Sequence, residues 1–264
     1  MPEVLDVAAL RQDLPEPWRR LDVVAETGST NADLLARAAT GEDVDGAVLI
    51  AEHQTSGRGR HGRTWVTPGV QITMSVGVAA NRVPTDGWGW LTLATGVAVV
   101  DTIARETGVQ AGLKWPNDVL AGGGKLAGIL SEVATPRPIV VVGIGLNVTS
   151  PDVADAQTTS LVDLRVTTPD RDALIRTLLR ELGRRIVAWR AAGGADDRLV
   201  ADYTHRSLTL GSQVRVTLPG DRELVGRACS IDHSGRLCVE SQGQTVTVSA
   251  GDVVHLRPIP RSEP

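Results

Sequence analysis

Apolar and polar positions along the 264-residue chain predict two regions of different architecture. Up to about residue 206, short apolar runs alternate with stretches of helical periodicity, which is typical of an α/β or α+β domain. From about residue 207 onward, five short runs alternate apolar with polar residues between turn signals at 219–221, 234–235 and 242–243, as in a small β-barrel. We therefore predict domains at 1–206 and 207–264, with the boundary between Tyr203 and Ser212.

Strands are predicted wherever apolar residues run together or alternate with polar ones. In the first region these segments are 21–24, 47–51 and 71–78, and after Gly108 come three strands, the last at 139–146. Because the segment 139–146 is apolar on both faces, it indicates a strand in the centre of a covered sheet.

Three helices are predicted from the spacing of apolar residues and from their end signals. The first begins at a capping box formed by Thr30 and Asp33 and ends near residue 41. The second is capped by Asp86 and runs to residue 108. The third begins after Thr168, with Pro169 at its first position, and ends at residue 193.

The composition argues against several classes of protein. A net charge of −4 and a pI near 5.8 disfavour a general nucleic-acid binder, which needs a basic face to release counterions. No apolar run reaches the roughly 18 to 20 residues of a membrane span, and the first 21 residues contain no signal-peptide core. Cys229 and Cys238 fit neither a CxxC pair nor zinc-ligand spacing. We expect a cytoplasmic protein that binds no nucleic acid and no membrane.

Lysine is rare in this chain. Of its 27 basic residues, two are lysines, Lys114 and Lys125, and the others are arginines. A compact, strongly hydrated ammonium differs from a guanidinium in geometry and hydration, so a retained lysine indicates a specific requirement. Lys114 opens the string Lys-Trp-Pro-Asn-Asp and Lys125 opens Lys-Leu-Ala-Gly-Ile-Leu. Both strings are candidate functional segments, with chance placement as the alternative.

The segment 57–69 alternates glycine with arginine and predicts a loop that binds an anion. Gly57 and Gly59 let backbone N–H groups approach a ligand closely, while Arg58, Arg60 and Arg63 present guanidinium groups that match phosphate or carboxylate oxygens. Two alternatives stay open, a short nucleic-acid-binding segment and a solvated loop without a role. Loops of this kind commonly close over a ligand when it binds.

The glycine-rich string 122–124 before Lys125 is not a P-loop. A P-loop has glycine five residues before its last glycine and Ser or Thr after its lysine, and here Val119 and Leu126 hold those positions. Lys125 is therefore expected on a strand after a tight turn. It either meets a phosphate there or is simply an exposed lysine of a hairpin.

Two further polar segments are candidates for binding. Ser29, Thr30 and Asn31 precede or begin a helix, where they cap it and can also offer hydrogen bonds to a neutral polar group. Asn147 ends an apolar strand, and a buried amide there has either a structural or a ligand-binding role. The chain has no HExxH or GxSxG motif and no evident pair of catalytic carboxylates.

In order and spacing these segments resemble the biotin protein ligases. The matching strings are Ser-Thr-Asn at 29–31, Gly-Arg-Gly-Arg-x-Gly-Arg-x-Trp at 57–65, Lys-Trp-Pro-Asn-Asp at 114–118, Lys-Leu-x-Gly-Ile-Leu at 125–130 and Gly-x-Gly-x-Asn-Val at 143–148. The likeness covers about residues 22 to 256. It implies a catalytic domain similar to that of class II aminoacyl-tRNA synthetases, with a mixed sheet flanked by helices, followed by a small SH3-like β-barrel.

The resemblance also implies the chemistry. The carboxylate of biotin attacks the α-phosphate of ATP, with Mg²⁺, to give biotinyl-5′-AMP and pyrophosphate. A lysine of a biotin carboxyl carrier domain in an acyl-CoA carboxylase then takes the biotinyl group. The first step needs cations more than a protein nucleophile, because it brings a carboxylate against a polyphosphate.

Site residues are carried over by position. Residues implied to bind biotin are Ser29, Thr30, Asn31, Gln54, Gly57, Arg58, Gly59, Arg60, Lys125 and Gly128. Residues implied to bind ATP and the adenylate are Arg58, Arg60, Arg63, Trp65, Lys114, Asn117, Lys125 and Asn147. The implied catalytic residues are Lys125, Arg58, Arg60, Lys114 and Asp118. No motif nominates a protein metal site, and for Trp65 and Trp115 plain core packing is the alternative.

Further expectations concern DNA binding, oligomeric state and the choice of substrate. About 20 residues precede the first family strand, too few for the winged-helix domain of some relatives, so no operator binding is expected. The protein is expected to be a monomer or a weak homodimer. A lipoate or octanoate protein ligase of the same superfamily and a biotin-binding sensor without transfer activity are the alternatives. The Gly-Arg loop and the Lys-Trp-Pro-Asn-Asp string disfavour the first, and the presence of both lysines and all three loop arginines disfavours the second.

Overall fold

The computed structural model describes residues 5–66, 70–149, 157–218, 222–249 and 252–255. Its larger sheet has seven strands in the order β1-β2-β3-β7-β6-β5-β4, of which β1 and β2 are parallel and the other neighbours antiparallel. The strands are β1 (Arg20–Thr27), β2 (Ala47–Gln54), β3 (Gln71–Ala79), β4 (Gly112–Lys114), β5 (Asp118–Ala121), β6 (Gly124–Ala134) and β7 (Ile139–Asn147). The predicted strand at 139–146 is confirmed as a central one.

Helices cover both faces of this sheet. They are α1 (Val7–Gln12), α2 (Thr30–Ala39), α3 (Gly89–Thr107), α4 (Arg171–Ala192) and α5 (Asp197–Arg206). On β7, Val142 and Ile144 belong to the large core that includes α3 and α4, while Val141 packs with Leu34 of α2. Past Val141, the face of β7 that carries α2 continues with glycine instead of a large side chain, which leaves space above the sheet.

The predicted cap of α2 is wrong by one residue. Ser29 is the N-cap, with extended backbone angles (φ −161°, ψ 127°) and an Oγ that accepts from the N–H of Ala32 at 3.4 Å. Asp33 instead accepts a hydrogen bond from the hydroxyl of Thr27 at 2.5 Å. Thr30 is the first helical residue because capping requires a non-helical backbone, which Ser29 has here.

The other two predicted caps are also wrong. Asp86 lies in a 3₁₀ turn, and α3 begins after Trp88 without a side-chain cap. Asp170 caps α4 through the N–H of Ala173 at 2.9 Å, so the helix begins two residues later than Pro169 suggested. The predicted helix ends are confirmed, since glycines in left-handed conformation follow both α3 and α4.

The smaller sheet has five antiparallel strands in the order β11-β10-β9-β8-β12. They are β8 (Gln213–Leu218), β9 (Arg222–Ile231), β10 (Leu237–Ser241), β11 (Gln244–Val248) and β12 (Asp252–His255). The predicted turns at 234–235 and 242–243 are confirmed, while the turn at 219–221 lies outside the described residues. So does the end of the predicted loop, 67–69.

Tryptophan N–H groups join the two sheets. Trp115 donates from its indole to the carbonyl of Gly235 at 3.0 Å, and Trp90 donates to that of Asp232 at 3.0 Å. Leu208 donates its N–H to the carbonyl of Leu113 at 2.8 Å, at the edge of β4. The core-packing alternative for Trp115 holds, since it is 2% exposed. Among the described residues, no helix has the length and apolar character needed to cross a membrane.

Candidate active site

A cavity of about 330 Å³ opens above β3, β7 and β6, beside the N-terminal end of α2. It lies where Gly143 and Gly145 of β7 replace large side chains on the face that carries α2. The residues nominated from the sequence all line this cavity, except Gly57 and Asn147. Residues from all five sequence segments are therefore brought together at one place.

One end of the cavity is built from neutral hydrogen-bonding groups. Gln54 accepts at Oε1 from the N–H of Thr30 at 2.8 Å, and the Thr30 hydroxyl lies 3.1 Å from the same oxygen. The hydroxyls of Thr30 and Ser75 are 2.6 Å apart. Ser29, Thr30, Gln54 and Ser75, which we call the neutral end, are each at least 93% buried. Such groups suit a neutral polar ligand, because they offer donors and acceptors without net charge.

Asn31 supports the neutral end from behind. Ser75 donates its hydroxyl to Oδ1 of Asn31 at 2.6 Å. The Asn31 amide donates to Oε2 of Glu132 at 2.9 Å and to the carbonyl of Leu130 at 3.1 Å. Glu132 also lies 3.6 Å from the guanidinium of Arg58. Both ends of the Asn31 amide are thus engaged within the protein, and its contact with biotin stays a prediction.

The Gly-Arg loop folds as a tight hairpin beside the cavity. The backbone N–H of Trp65 donates to the carbonyl of Gly57 at 2.8 Å, and that of Gly59 donates to the carbonyl of Arg63 at 2.7 Å. A Cβ at Gly57 would overlap the Trp65 carbonyl, so this close approach requires glycine. This hairpin places Arg58, Arg60 and Arg63 in the lining of the cavity.

The opposite end of the cavity is charged. Lys125 follows the tight turn at Gly122 and Gly123, both of which have positive φ (56° and 85°), as predicted from the sequence. Its Nζ is 2.7 Å from Oδ1 of Asp118, in an ion pair whose angles are not those of a well-directed hydrogen bond. The same ammonium lies 5.4 Å from the ring centroid of Trp65.

Lys114 and Asn117 complete this end, which together with Asp118 and Lys125 we call the charged end. In the β4–β5 ladder, Lys114 is the backbone register partner of Asp118. Asn117 donates its amide to the carbonyl of Ile129 at 2.9 Å, and its Oδ1 accepts from Arg60 at 3.4 Å. The turn between β4 and β5 is therefore fixed to β6 and reaches the loop.

The floor of the cavity is flat because it carries glycine. Gly128 and Gly145 are register partners on β6 and β7, and the Trp65 indole lies against both. A Cβ at Gly128 would come within 3.0 Å of that indole and 3.2 Å of the Lys125 ammonium. The indole N–H of Trp65 donates to Oε1 of Gln71 at 2.9 Å, which fixes the orientation of the ring.

Asn147 lies beneath the charged end, outside the cavity lining. It is 2% exposed and donates from Nδ2 to the carbonyls of Thr159 at 3.0 Å and Lys125 at 3.3 Å. These bonds satisfy the structural interpretation of this amide, and its contact with adenine stays a prediction.

Sequence reasoning missed several residues of the site. Ser75 and Thr73 line it from β3, and Glu132 joins Asn31 to Arg58. The polar residues at alternate positions of an otherwise apolar β3 were a usable signal for the first two. Val253 and Val254 of β12 form part of the wall, and no local pattern in the sequence indicates this.

His255, next to this wall, is connected to the charged end. Its Nε2 lies 3.0 Å from the hydroxyl of Thr209, and that hydroxyl accepts a hydrogen bond from the backbone N–H of Trp115 at 2.9 Å. Burial, and then the positive charge of Lys114, hold the pKa of His255 below its usual range. The neutral imidazole is thus favoured at this junction.

The charges of the lining favour an anionic ligand. Three arginines and two lysines face the cavity, against one acidic side chain, Asp118, among the residues described. The described part of the chain contains no group of three or more His, Cys, Asp or Glu placed to hold a metal ion. The cationic side chains of the lining can bind such a ligand through charge-assisted hydrogen bonds.

Comparison with known proteins agrees with this geometry. The model of the biotin/lipoate A/B protein ligase family matches residues 26–148, and that of the biotin protein ligase C-terminal domain matches 209–256. Biotin--[acetyl-CoA-carboxylase] ligase of Mycobacterium tuberculosis is 59% identical over 96% of both chains. This chain belongs to the biotin protein ligases.

More distant biotin protein ligases resemble this chain in sequence or in fold. The bifunctional ligase/repressor BirA of Bacillus spizizenii is 31% identical over 88% of this chain and 72% of its own length. A biotin protein ligase from Aquifex aeolicus in complex with biotin and ATP superposes with a TM-score of 0.78. It covers 91% of this chain and 100% of its own at 22% identity, which confirms the fold.

Proposed function

We propose that this chain joins biotin to ATP to form biotinyl-5′-AMP and then transfers the biotinyl group to a lysine of a carrier domain in an acyl-CoA carboxylase. The observation that carries the proposal is the single cavity with a neutral end and a charged end. Biotin has a neutral ureido ring at one end and a carboxylate at the other. The two ends of the cavity match these two groups in order and chemistry.

The neutral end would hold the ureido ring. Ser29, Thr30 and Gln54, with the backbone of Arg58, would supply hydrogen-bond donors and acceptors in fixed positions. Lipoate and octanoate have no ureido group and would leave these buried groups without ligand partners. A site built to hydrogen-bond a substrate rejects an analogue that lacks the matching group, which favours biotin.

The charged end would serve the first step. A carboxylate oxygen of biotin attacks the α-phosphorus of ATP, and the bond to pyrophosphate breaks. Lys125 is placed to contact the carboxylate and then the α-phosphate, while Arg58, Arg60 and Arg63 line the same cavity. These cations offset the repulsion between two anions, and loss of one such donor typically costs about 2.7–4 kcal/mol.

Lys114 and Asn117 would lie by the phosphates of ATP. Mg²⁺ would arrive bound to those phosphates and stabilise their negative charge. It needs few protein ligands there, since phosphate oxygens and water supply most of its coordination. The oxygens of Asn117 and Asp118 at the charged end fit that requirement. Trp65 would stack by the adenine.

The second step would use Asp118. The amine of the carrier lysine attacks the carbonyl carbon of the mixed anhydride, and AMP leaves. Asp118, the carboxylate that lines the cavity, would accept a proton from the incoming ammonium. Its ion pair with Lys125 would then connect the two steps.

The wider setting belongs to the same proposal. We assign 1–206 to the catalytic domain and 207–264 to the SH3-like domain, and we expect a cytoplasmic monomer or weak homodimer. The net charge of −4 supports the absence of a nucleic-acid partner.

Pyrophosphate–ATP exchange tests the proposal. The purified protein is assayed with Mg²⁺ and with biotin, lipoate or octanoate as the added acid. Exchange with biotin alone is the expected result. Exchange with lipoate or octanoate would reassign the pocket, and no exchange with any acid in a folded protein would leave the sensor alternative.

A further inference from the structure

We infer that Thr73 is a specificity-determining residue, whose hydroxyl recognises the ring sulfur of biotin. This inference rests on the proposed function and deepens it. Thr73 lies on β3, lines the cavity and is 3% exposed. Its Oγ1 is buried without a hydrogen-bond partner in the part of the chain that the structure describes.

Such a hydroxyl is unusual in a folded protein. Nearly all buried polar side-chain atoms have partners, and an unpaired one destabilises the fold. The two polar neighbours on the same face of β3 are both satisfied, since Ser75 bonds Asn31 and Gln71 bonds the Trp65 indole. Thr73, between them, is the exception, which indicates that its partner is a ligand.

The neighbours of Thr73 across the sheet explain why it has no protein partner. Its register partners are Ala51 on β2 and Gly145 on β7, and Gly145 in turn pairs with Gly128 on β6. None of these three side chains carries a polar atom. The hydroxyl therefore faces the space above a floor made of alanine and glycine.

The position of Thr73 selects the ligand atom. Ser75, two residues along β3, contacts Thr30 at the neutral end, and two residues on one strand span about 6.6 Å. Lys125 marks the other end, and its ammonium lies beside Gly128. With the ureido ring at the neutral end and the carboxylate at Lys125, the middle of biotin falls over Thr73. The one heteroatom there is the thioether sulfur, a weak hydrogen-bond acceptor.

Desthiobiotin is the matched probe, because it keeps the ureido ring and the carboxylate but lacks the sulfur. Thr73→Val removes the hydroxyl at nearly constant shape, and Thr73→Ser keeps it as the control variant. Equilibrium binding and exchange are measured for both acids with all three proteins. We expect Thr73→Val to lower the preference for biotin over desthiobiotin about 2- to 10-fold, with the KM for ATP unchanged. Thr73→Ser should keep the preference of the wild type.

Thermal unfolding of the ligand-free proteins gives a second measurement that does not depend on activity. Because Thr73→Val removes an unpaired buried hydroxyl, its melting temperature should equal or exceed that of the wild type. The inference would be overturned if Thr73→Val kept the wild-type preference or lost affinity equally for both acids. A marked loss of stability in the ligand-free Thr73→Val protein would also overturn it. Absence of biotin-dependent exchange in the wild type would instead overturn the proposed function.

Discussion

The neutral end and the charged end of the cavity differ in how their side chains are held. Thr30, Gln54 and Ser75 are at least 93% buried and hydrogen-bonded to one another. The side chains of Lys125 and Asp118, by contrast, are 32% and 22% exposed and form an ion pair. The hydrogen bonds of the neutral end are already formed without a ligand. The charged end instead carries partly exposed side chains that can leave their ion pair for another partner.

This difference matches what each end would do in the proposed reaction. A ureido ring has the same charge throughout the reaction, so a rigid site for it adds equally to substrate and transition-state binding. The carboxylate and phosphates change their charge distribution as bonds form and break. A cation that can leave Asp118 for the substrate is able to follow that change. We therefore expect changes at the charged end to affect kcat and changes at the neutral end to affect KM.

Lys125→Ala should give the largest effect. The rate of biotin-dependent pyrophosphate exchange should fall by several orders of magnitude, with roughly 10²–10³-fold coming from the lost cation alone. Arg137→Ala is the matched control, because Arg137 is an exposed cation in the β6–β7 turn outside the cavity. Near-wild-type turnover in Lys125→Ala would show that the catalytic assignment is wrong.

Asp118→Asn separates the two steps. Loss of a general base typically costs about 10²–10⁴-fold, so transfer to the carrier lysine should fall at least about 100-fold. Exchange, which needs no base, should fall much less. Both rates are measured on the same preparation, one by labelled pyrophosphate and the other by biotin bound to the carrier domain. Equal losses would mean that Asp118 acts through Lys125 alone.

Thr30→Val tests the neutral end. The variant removes a hydroxyl that lies between Gln54 and Ser75 and is proposed to bond the ureido ring, and loss of one hydrogen bond to a ligand costs about 1–1.5 kcal/mol. The KM for biotin should rise about tenfold, while kcat and the KM for ATP stay near the wild-type values. A fall in kcat with an unchanged KM would contradict the division of roles between the two ends.

His255→Gln should give the smallest effect, and it concerns stability. Burial and the charge of Lys114 lower the pKa of His255 from its usual 6.5, so the unfolded chain binds this proton more tightly than the folded one. The contribution of His255 to stability is complete above pH 6.5 and is lost as the pH falls through the folded-state pKa. Urea unfolding at pH 7 and pH 5 should show that the free energy of unfolding falls less in His255→Gln than in the wild type. An equal fall in both proteins would mean that other groups cause the pH dependence.

Much of the fold could be predicted because long apolar patterns dominate it. The strands β1, β2, β3 and β7 and the helices α3 and α4 follow from such patterns and from their terminal glycines. The short helices α1 and α5 were missed, and three strands were predicted after Gly108 where the structure has four, β4 to β7, since short elements have too little apolar content to show a period. Cap positions were wrong because Thr30, Asp86 and Thr168 are good caps by type, and the backbone conformation decides which residue acts.

The candidate site could be predicted as far as its motifs extend. Glycine, arginine and lysine in fixed strings identified the loop, Lys125 and the β4–β5 turn, all of which meet at the cavity. Glu132 and Val254 were missed because their roles depend on contacts across the fold. Thr73 and Ser75 were within reach of the sequence, since they are polar positions facing one side of an apolar strand.

The identity of the nucleotide product tests the central claim most directly. The claim is that the charged end directs the carboxylate of biotin to the α-phosphate of ATP. Purified protein is incubated with biotin, MgATP and a carrier domain, and the phosphorus products are identified by ³¹P NMR. The account predicts AMP and pyrophosphate in equal amounts, in step with the biotin transferred. Formation of ADP and inorganic phosphate would mean attack at the γ-phosphate and would contradict it.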